Sequence, residues 1–230
     1  MIYDFLIEIC SKIGFSVCHQ IPERTIFFGN IAMPICSRCT GIYIGFTISI
    51  ISMIVLFRKK ESGFPPLYII ILSLIFIISN VLDGIFSYLY IYNTNNIIRI
   101  ITGYMFGTGI ALILYPVFPY QFYKESSDKK IFSTAKQFIF FMIPGIVIIG
   151  LGILRLAFLG ILYYYLSSFS VIFTFVFSNL LLALLFPRFS KKSQRLFSKY
   201  LTIPLLIGFI LTLAELSVLW CFHLYIIKRF

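Results

Sequence analysis

Six stretches of this chain stay apolar for long enough to cross about 30 Å of hydrocarbon, and that succession decides the fold class. They lie near 40–57, 67–89, 98–120, 137–157, 161–186 and 203–226. A backbone in hydrocarbon must satisfy its own N–H and C=O groups, so runs of this kind predict helices. The expectation is an all-α, multi-pass transmembrane helical bundle of about six spans, a single transmembrane domain over residues 1–230. A tight turn at Leu159-Gly160 separates the fourth and fifth stretches, which leaves a five-span count open. Ahead of the spans, Ile2, Phe5, Leu6, Ile9 and Ile13 recur at helical spacing, with Asp4, Glu8 and Lys12 elsewhere around the turn. That pattern predicts a short amphipathic helix, lying on the membrane surface or packed against the bundle. The start lacks the basic end and unbroken apolar core of a secretory signal peptide, because Asp4 and Glu8 interrupt it.

Composition agrees: 60% of residues are hydrophobic and 12% charged, against about 25% charged in a soluble domain. The net charge of +11 would suggest nucleic acid in a soluble chain. Here the cations sit in loops, where they set topology and meet anionic lipid headgroups, so the expected partner is the bilayer and not nucleic acid. Twelve of them fall in three loops: Arg58, Lys59, Lys60; Lys124, Lys129, Lys130, Lys136; and Arg188, Lys191, Lys192, Arg195, Lys199. The other face holds seven: Lys12, Arg24, Arg38, Arg99, Arg155, Lys228 and Arg229. Positive-inside reasoning puts the twelve in the cytoplasm and the opposite face outside the cell membrane.

The chemistry concentrates on that opposite face. Residues 18–45 carry Cys18-His19 and Cys36-Ser-Arg-Cys39 in the loop that enters the first span. Three sulfurs and an imidazole make a tetrahedral zinc-type donor set, so Cys18, His19, Cys36 and Cys39 are candidate ligands for zinc or another divalent or soft metal. Neighbouring residues seldom both bind one ion without strain, so one of Cys18 and His19 can be a bystander. Cys36 and Cys39 follow Pro34 at the start of a helix, whose N-terminus favours thiolate. A redox-active or structural Cys36–Cys39 disulfide is the alternative, favoured on an oxidising face. Cys10 and Cys221 stand alone and read as apolar filler.

Topology brings further polar residues to the same side. Asp83, Gly84, Thr94, Asn95, Asn96 and Arg99 surround the turn between the second and third spans. Arg24, Arg38 and Arg99 are candidate binders of an anion such as phosphate, carboxylate or a lipid headgroup. Arg99 follows Asn95 by four residues, so the two are expected on one helical face. Asp83, Asn95 and Arg99 are the candidate catalytic groups, with Asp83 as base, metal ligand or partner of Arg38 or Arg99. Gly41-x3-Gly45 and Gly103-x3-Gly107 are small-residue contacts that would let the first and third spans approach closely. Glu215, near the centre of the last span, is a functional candidate by its depth, and Arg155 would pair with it only at matching depth.

The order Cys18-His19-Gln20-x-Pro22-x-Arg24, Pro34-x-Cys36-x-Arg38-Cys39-Thr40-Gly41-x-Tyr43-x-Gly45, Asp83-Gly84, Thr94-Asn95-x3-Arg99-x2-Thr102-Gly103-x3-Gly107 resembles a family of small prokaryotic membrane proteins of unknown function. The resemblance covers roughly residues 18–109, departs from the family's Arg-Ser at Arg24-Thr25, and leaves 110–230 as additional spans. It implies that these motifs belong together and supplies no activity.

Three functions fit. One is a metal-dependent site for a small anionic or lipid-borne ligand. A second is a thiol–disulfide oxidoreductase using Cys36 and Cys39, with Cys18 as shuttle. A third is a transporter or channel with Glu215, Asn80 and Asn179 along its route. A homo-oligomer is compatible with each of them.

Overall fold

A computed structural model describes residues 2–57, 61–196 and 198–229, and the side chains of all of these except 2, 3 and 227–229. Arg58, Lys59 and Lys60 of the loop-charge argument lie outside the described residues, as do the side chains of Lys228 and Arg229.

Six helices among the described residues are long and apolar enough to cross a membrane, and they fall on the six expected stretches. The N-terminal helix α1 (Ile2–Val17) is followed by α2 (Ser37–Leu56), α3 (Leu67–Tyr88), α4 (Asn96–Leu114), the short α5 (Val117–Phe122), α6 (Ala135–Leu154), α7 (Gly160–Leu185) and α8 (Lys199–Arg229). The fourth and fifth spans are separate helices. Arg155 ends α6 in the left-handed conformation (φ 52°), and a single 3-10 turn over Ala157–Leu159 leads into α7. There is almost no sheet. A hairpin pairs β1 (Phe27–Phe28) with β2 (Ile31–Ala32), and β3 (Glu61–Gly63) lies parallel to β4 (Ser127–Lys130) at the other end of the bundle.

Local signals set several boundaries. Asn95 caps α4 by accepting a hydrogen bond from the Ile98 N–H at 2.8 Å. Thr134 and Gln137 form a capping box at the start of α6, which satisfies two N–H groups that a helix otherwise leaves open. α1 packs on α7 and α8, so the amphipathic helix is part of the bundle.

The centre of the molecule is the crossing of α2 and α4, and glycines make it close. A Cβ on Gly41 would stand 2.3 Å from the Ile100 carbonyl oxygen, and one on Gly107 would stand 2.1 Å from that of Ile42. Hydrocarbon offers no hydrophobic drive between helices, so backbone-to-backbone approach of this kind supplies the packing energy. Ser49 Oγ donates to Thr108 Oγ1 at 3.1 Å across the same contact. Around it, Ile44, Ile100, Tyr104 and Tyr163 fill one end of the core, and Ile50, Met53, Leu112 and Phe177 fill the other. α3, α6 and α8 present Ile75, Ile139 and Ile210 outward.

Candidate metal centre

Backbone fit at two places brings Cys18 to Cys36. In the last turn of α1, Gly14 lies so close to Pro34 that a Cβ would stand 2.0 Å from the Pro34 carbonyl oxygen. Just past Cys18, Gln20 adopts a positive φ of 51° and its Nε2 donates to Ser11 O at 3.1 Å and to Pro34 O at 2.8 Å. The helix end and the segment preceding Cys36 are thereby tied by one side chain. The Cys36 N–H then donates to Cys18 Sγ at 3.2 Å. Cys39 follows one turn into α2.

The result is a group of three thiols, Cys18, Cys36 and Cys39, whose sulfurs all lie within 4.8 Å of one another, and which could hold a metal ion. Zn–S bonds of about 2.3 Å in a tetrahedron place sulfurs about 3.8 Å apart, so the three fit such an ion with a contraction of an ångström or less. All five cysteines are free thiols. Cys36 is the N-cap residue that precedes α2, and its thiol pKa is drawn far below the ordinary value. The neighbouring Cys18 and Cys39 side chains contribute most to this, and the Cys39 and Arg38 N–H groups add to it against the opposing effect of burial. Cys18 is pushed up, first by its hydrogen bond to Cys36 and further by burial. Cys36 is therefore the first thiolate of the group.

Main-chain carbonyls hold the rest of the loop. Ser37 Oγ donates to Arg24 O at 2.8 Å, and Asn96 Nδ2 donates to Glu23 O at 3.3 Å and Thr25 O at 3.2 Å. Gly29, at φ 58°, turns the hairpin.

Asp83 is 4% exposed and fully engaged. Arg38 donates Nε to its Oδ2 at 3.1 Å and adds Nη2 in an ion pair. Tyr92 donates its hydroxyl to Oδ1, which raises the phenol's pKa. Thr102 donates to Oδ2 at 3.4 Å. Of the partners considered in the sequence, Arg38 is the one it takes.

Arg99 is 9% exposed. Its Nη1 reaches Asn96 Oδ1 at 3.4 Å, while its Nε has no hydrogen-bond partner among the described residues. Arg24 and Arg38 are near enough to repel it. Asn95 accepts the Arg99 N–H at its carbonyl oxygen, 3.1 Å away. It precedes the helix as its cap, a position that short amide side chains favour, and Asn96 is the residue beside Arg99.

His19 lies outside the thiol group. Its ring sits edge-on to the ring of His223, with centroids 4.4 Å apart, and His223 stacks on Phe15 at 4.7 Å. Sequence reasoning missed His223 and Tyr92, and it placed Asn96 at the turn without giving it a role. His223 had a signal, since it is the only histidine besides His19 and falls at the end of α8 that topology returns to the cysteine side. Glu215 is paired elsewhere: its Oε2 accepts from Asn179 Nδ2 at 2.9 Å, and Asn179 also donates to Thr212 Oγ1 at 3.2 Å. Arg155 ends α6 and forms no ion pair with Glu215 among the described residues.

Residues 18–113, which contain all three thiols, match the family described as "Predicted membrane protein (DUF2085)". A protein of Methanothermobacter thermautotrophicus described as uncharacterised is 31% identical over 106 residues, covering 46% of this chain and 89% of that relative. The chain belongs to the DUF2085 family. A second relative described as uncharacterised, from Methanocaldococcus jannaschii, is 33% identical over 122 residues, 52% of this chain and 75% of the relative. No solved structure matches. The DUF2085 segment comprises the cysteine loop and α2 to α4, and α6 to α8 lie beyond it.

Proposed function

We propose that this membrane protein binds one zinc-type divalent ion through the thiolates of Cys18, Cys36 and Cys39, and that the fourth position receives a small anionic or lipid-borne ligand. The observation that carries this reading is the mutual approach of three sulfurs from two separate motifs, held by backbone contacts that need no ion. Three protein ligands and one exchangeable position make a site able to bind or activate a ligand, whereas four protein ligands would close it. His19, turned onto His223, leaves the set at three. Arg99, buried with a donor unused, supports an anion nearby, with Arg24 and Arg38 adding positive potential. The charge of the opposite loops argues for the extracytoplasmic side of the cell membrane.

Metal content of the purified protein tests this. The expected result is one zinc per chain, lost in Cys18→Ser, Cys36→Ser and Cys39→Ser and kept in His19→Ala. Metal-free protein, or full content in any of the serine variants, overturns it.

A second reading rests on the thiolate character of Cys36 beside two free thiols. Cys36 and Cys39 would pass between dithiol and disulfide, transferring two electrons and two protons to a partner's disulfide. A reversible Cys36–Cys39 crosslink in metal-free protein would favour it.

A further inference from the structure

Beside the thiol group, a cleft of about 310 Å³ opens between α1, α2, α7 and α8. Its polar end holds His19 and His223, and its walls include Tyr43, Phe175, Leu219 and Phe222. Tyr43 stands one helical turn beyond Cys39 and packs in the same cluster as the three cysteines. Its ring lies 6.5 Å from that of Phe175. Phe222, 60% exposed, forms part of the outward rim of a helix that faces lipid.

His223 is the informative residue. It is 7% exposed, and its Nδ1 lies 2.6 Å from the Phe15 carbonyl oxygen. A carbonyl only accepts, so Nδ1 carries the proton, and in the uncharged ring Nε2 is left as a bare acceptor. That Nε2 is buried and has no partner among the described residues. A buried polar atom without a partner is uncommon enough to call for an explanation.

We propose that this cleft binds a membrane-dissolved hydroquinone-type molecule, an aromatic ring bearing hydroxyl groups and an apolar tail. Its hydroxyl donates to His223 Nε2, and its tail leaves past Phe222 into the bilayer. Three features select this class. In the uncharged ring the unpartnered atom is an acceptor, and a donating head satisfies it. Among the described residues no lysine, arginine, aspartate or glutamate lines the cleft, so this lining offers no cation to a phosphate or carboxylate head of the kind the arginines would take. The volume is at the small end for ligand pockets, and the aromatic walls suit a single flat ring. The cleft needs no metal, so this inference stands apart from the zinc reading.

The test uses the full chain in lipid nanodiscs and a radiolabelled decyl-hydroquinone kept reduced. Its dimethyl ether, which cannot donate, is the control. Saturable binding to the native protein is expected, with affinity about tenfold lower for the ether and about tenfold lower for hydroquinone in His223→Phe, the loss of one buried hydrogen bond. Leu219→Trp, which fills the cleft without touching an imidazole, should abolish binding of both probes. Equal affinity for the two probes, undiminished binding in Leu219→Trp, or no saturable binding to the native protein overturns the proposal. If His223→Phe unfolds, the ether on native protein and Leu219→Trp still decide. Zinc measured in the same samples separates the two readings, because a metal-free protein that binds hydroquinone defeats only the first.

Discussion

Gly103 of α4 meets the carbonyl oxygen of Arg38 so closely that a Cβ would stand 2.3 Å from it. The same Arg38 reaches with its side chain to Asp83 on α3, and its neighbour Cys39 belongs to the thiol group. One close point of the α2–α4 crossing is thus also where the site is anchored. Gly103→Ala must push the helices apart, because the obstructing atom is backbone. We expect a loss of about 1–3 kcal/mol, read as earlier unfolding in a denaturant series, together with weaker metal retention. An unchanged unfolding midpoint would show that the crossing yields freely.

The Arg38–Asp83 pair invites a complementary measurement. Asp83→Ala leaves a guanidinium without its carboxylate, which costs about 3–5 kcal/mol where such a pair is buried, and less here since Arg38 is 23% exposed. Adding Arg38→Met should recover part of the stability. If the double variant is worse than Asp83→Ala alone, the pair is not the main interaction of either group.

Metal affinity should rise with pH. Cys36 already favours thiolate, whereas Cys18 is held above the ordinary thiol value and keeps its proton near neutrality. An ion binding Cys18 must displace that proton, so competition weakens as pH rises toward the Cys18 pKa. Between about pH 6 and 8 the dissociation constant should fall at least tenfold per unit, one proton per ion at minimum. Competition with a chelator of known proton linkage measures the slope, and a flat profile would remove Cys18 from the ligand set.

Asn95 and Asn96 should separate cleanly. Asn95→Ala removes a helix cap and costs about 1 kcal/mol with metal content intact, and Asn95→Asp should restore stability. Asn96→Ala releases the Glu23 and Thr25 carbonyls, so its signature is faster loss of metal to a chelator at little cost in global unfolding.

The spans were legible because hydrocarbon thickness and backbone satisfaction leave a chain few choices, and the ends of α3 and α7 fall within a residue of the sequence expectation. The thiol group was legible as two motifs. Whether Cys18 or its neighbour turns toward Cys36 was not, because that depends on Gly14 meeting Pro34 and on the positive φ of Gln20. His223 leaves no periodic trace near the motif it touches, since contacts of long sequence separation are not written in local pattern.

The last helix has a consequence for how the protein is made. His223 bonds to Phe15, a residue 208 positions earlier in the chain, while the thiols and the arginines come from its first half. A ribosome feeding this chain into the membrane would leave the histidine flank of the cysteine cluster open until the final span docks. Cutting the chain before α8 should therefore leave His19 without its ring partner and Cys18 without the cover of Leu216.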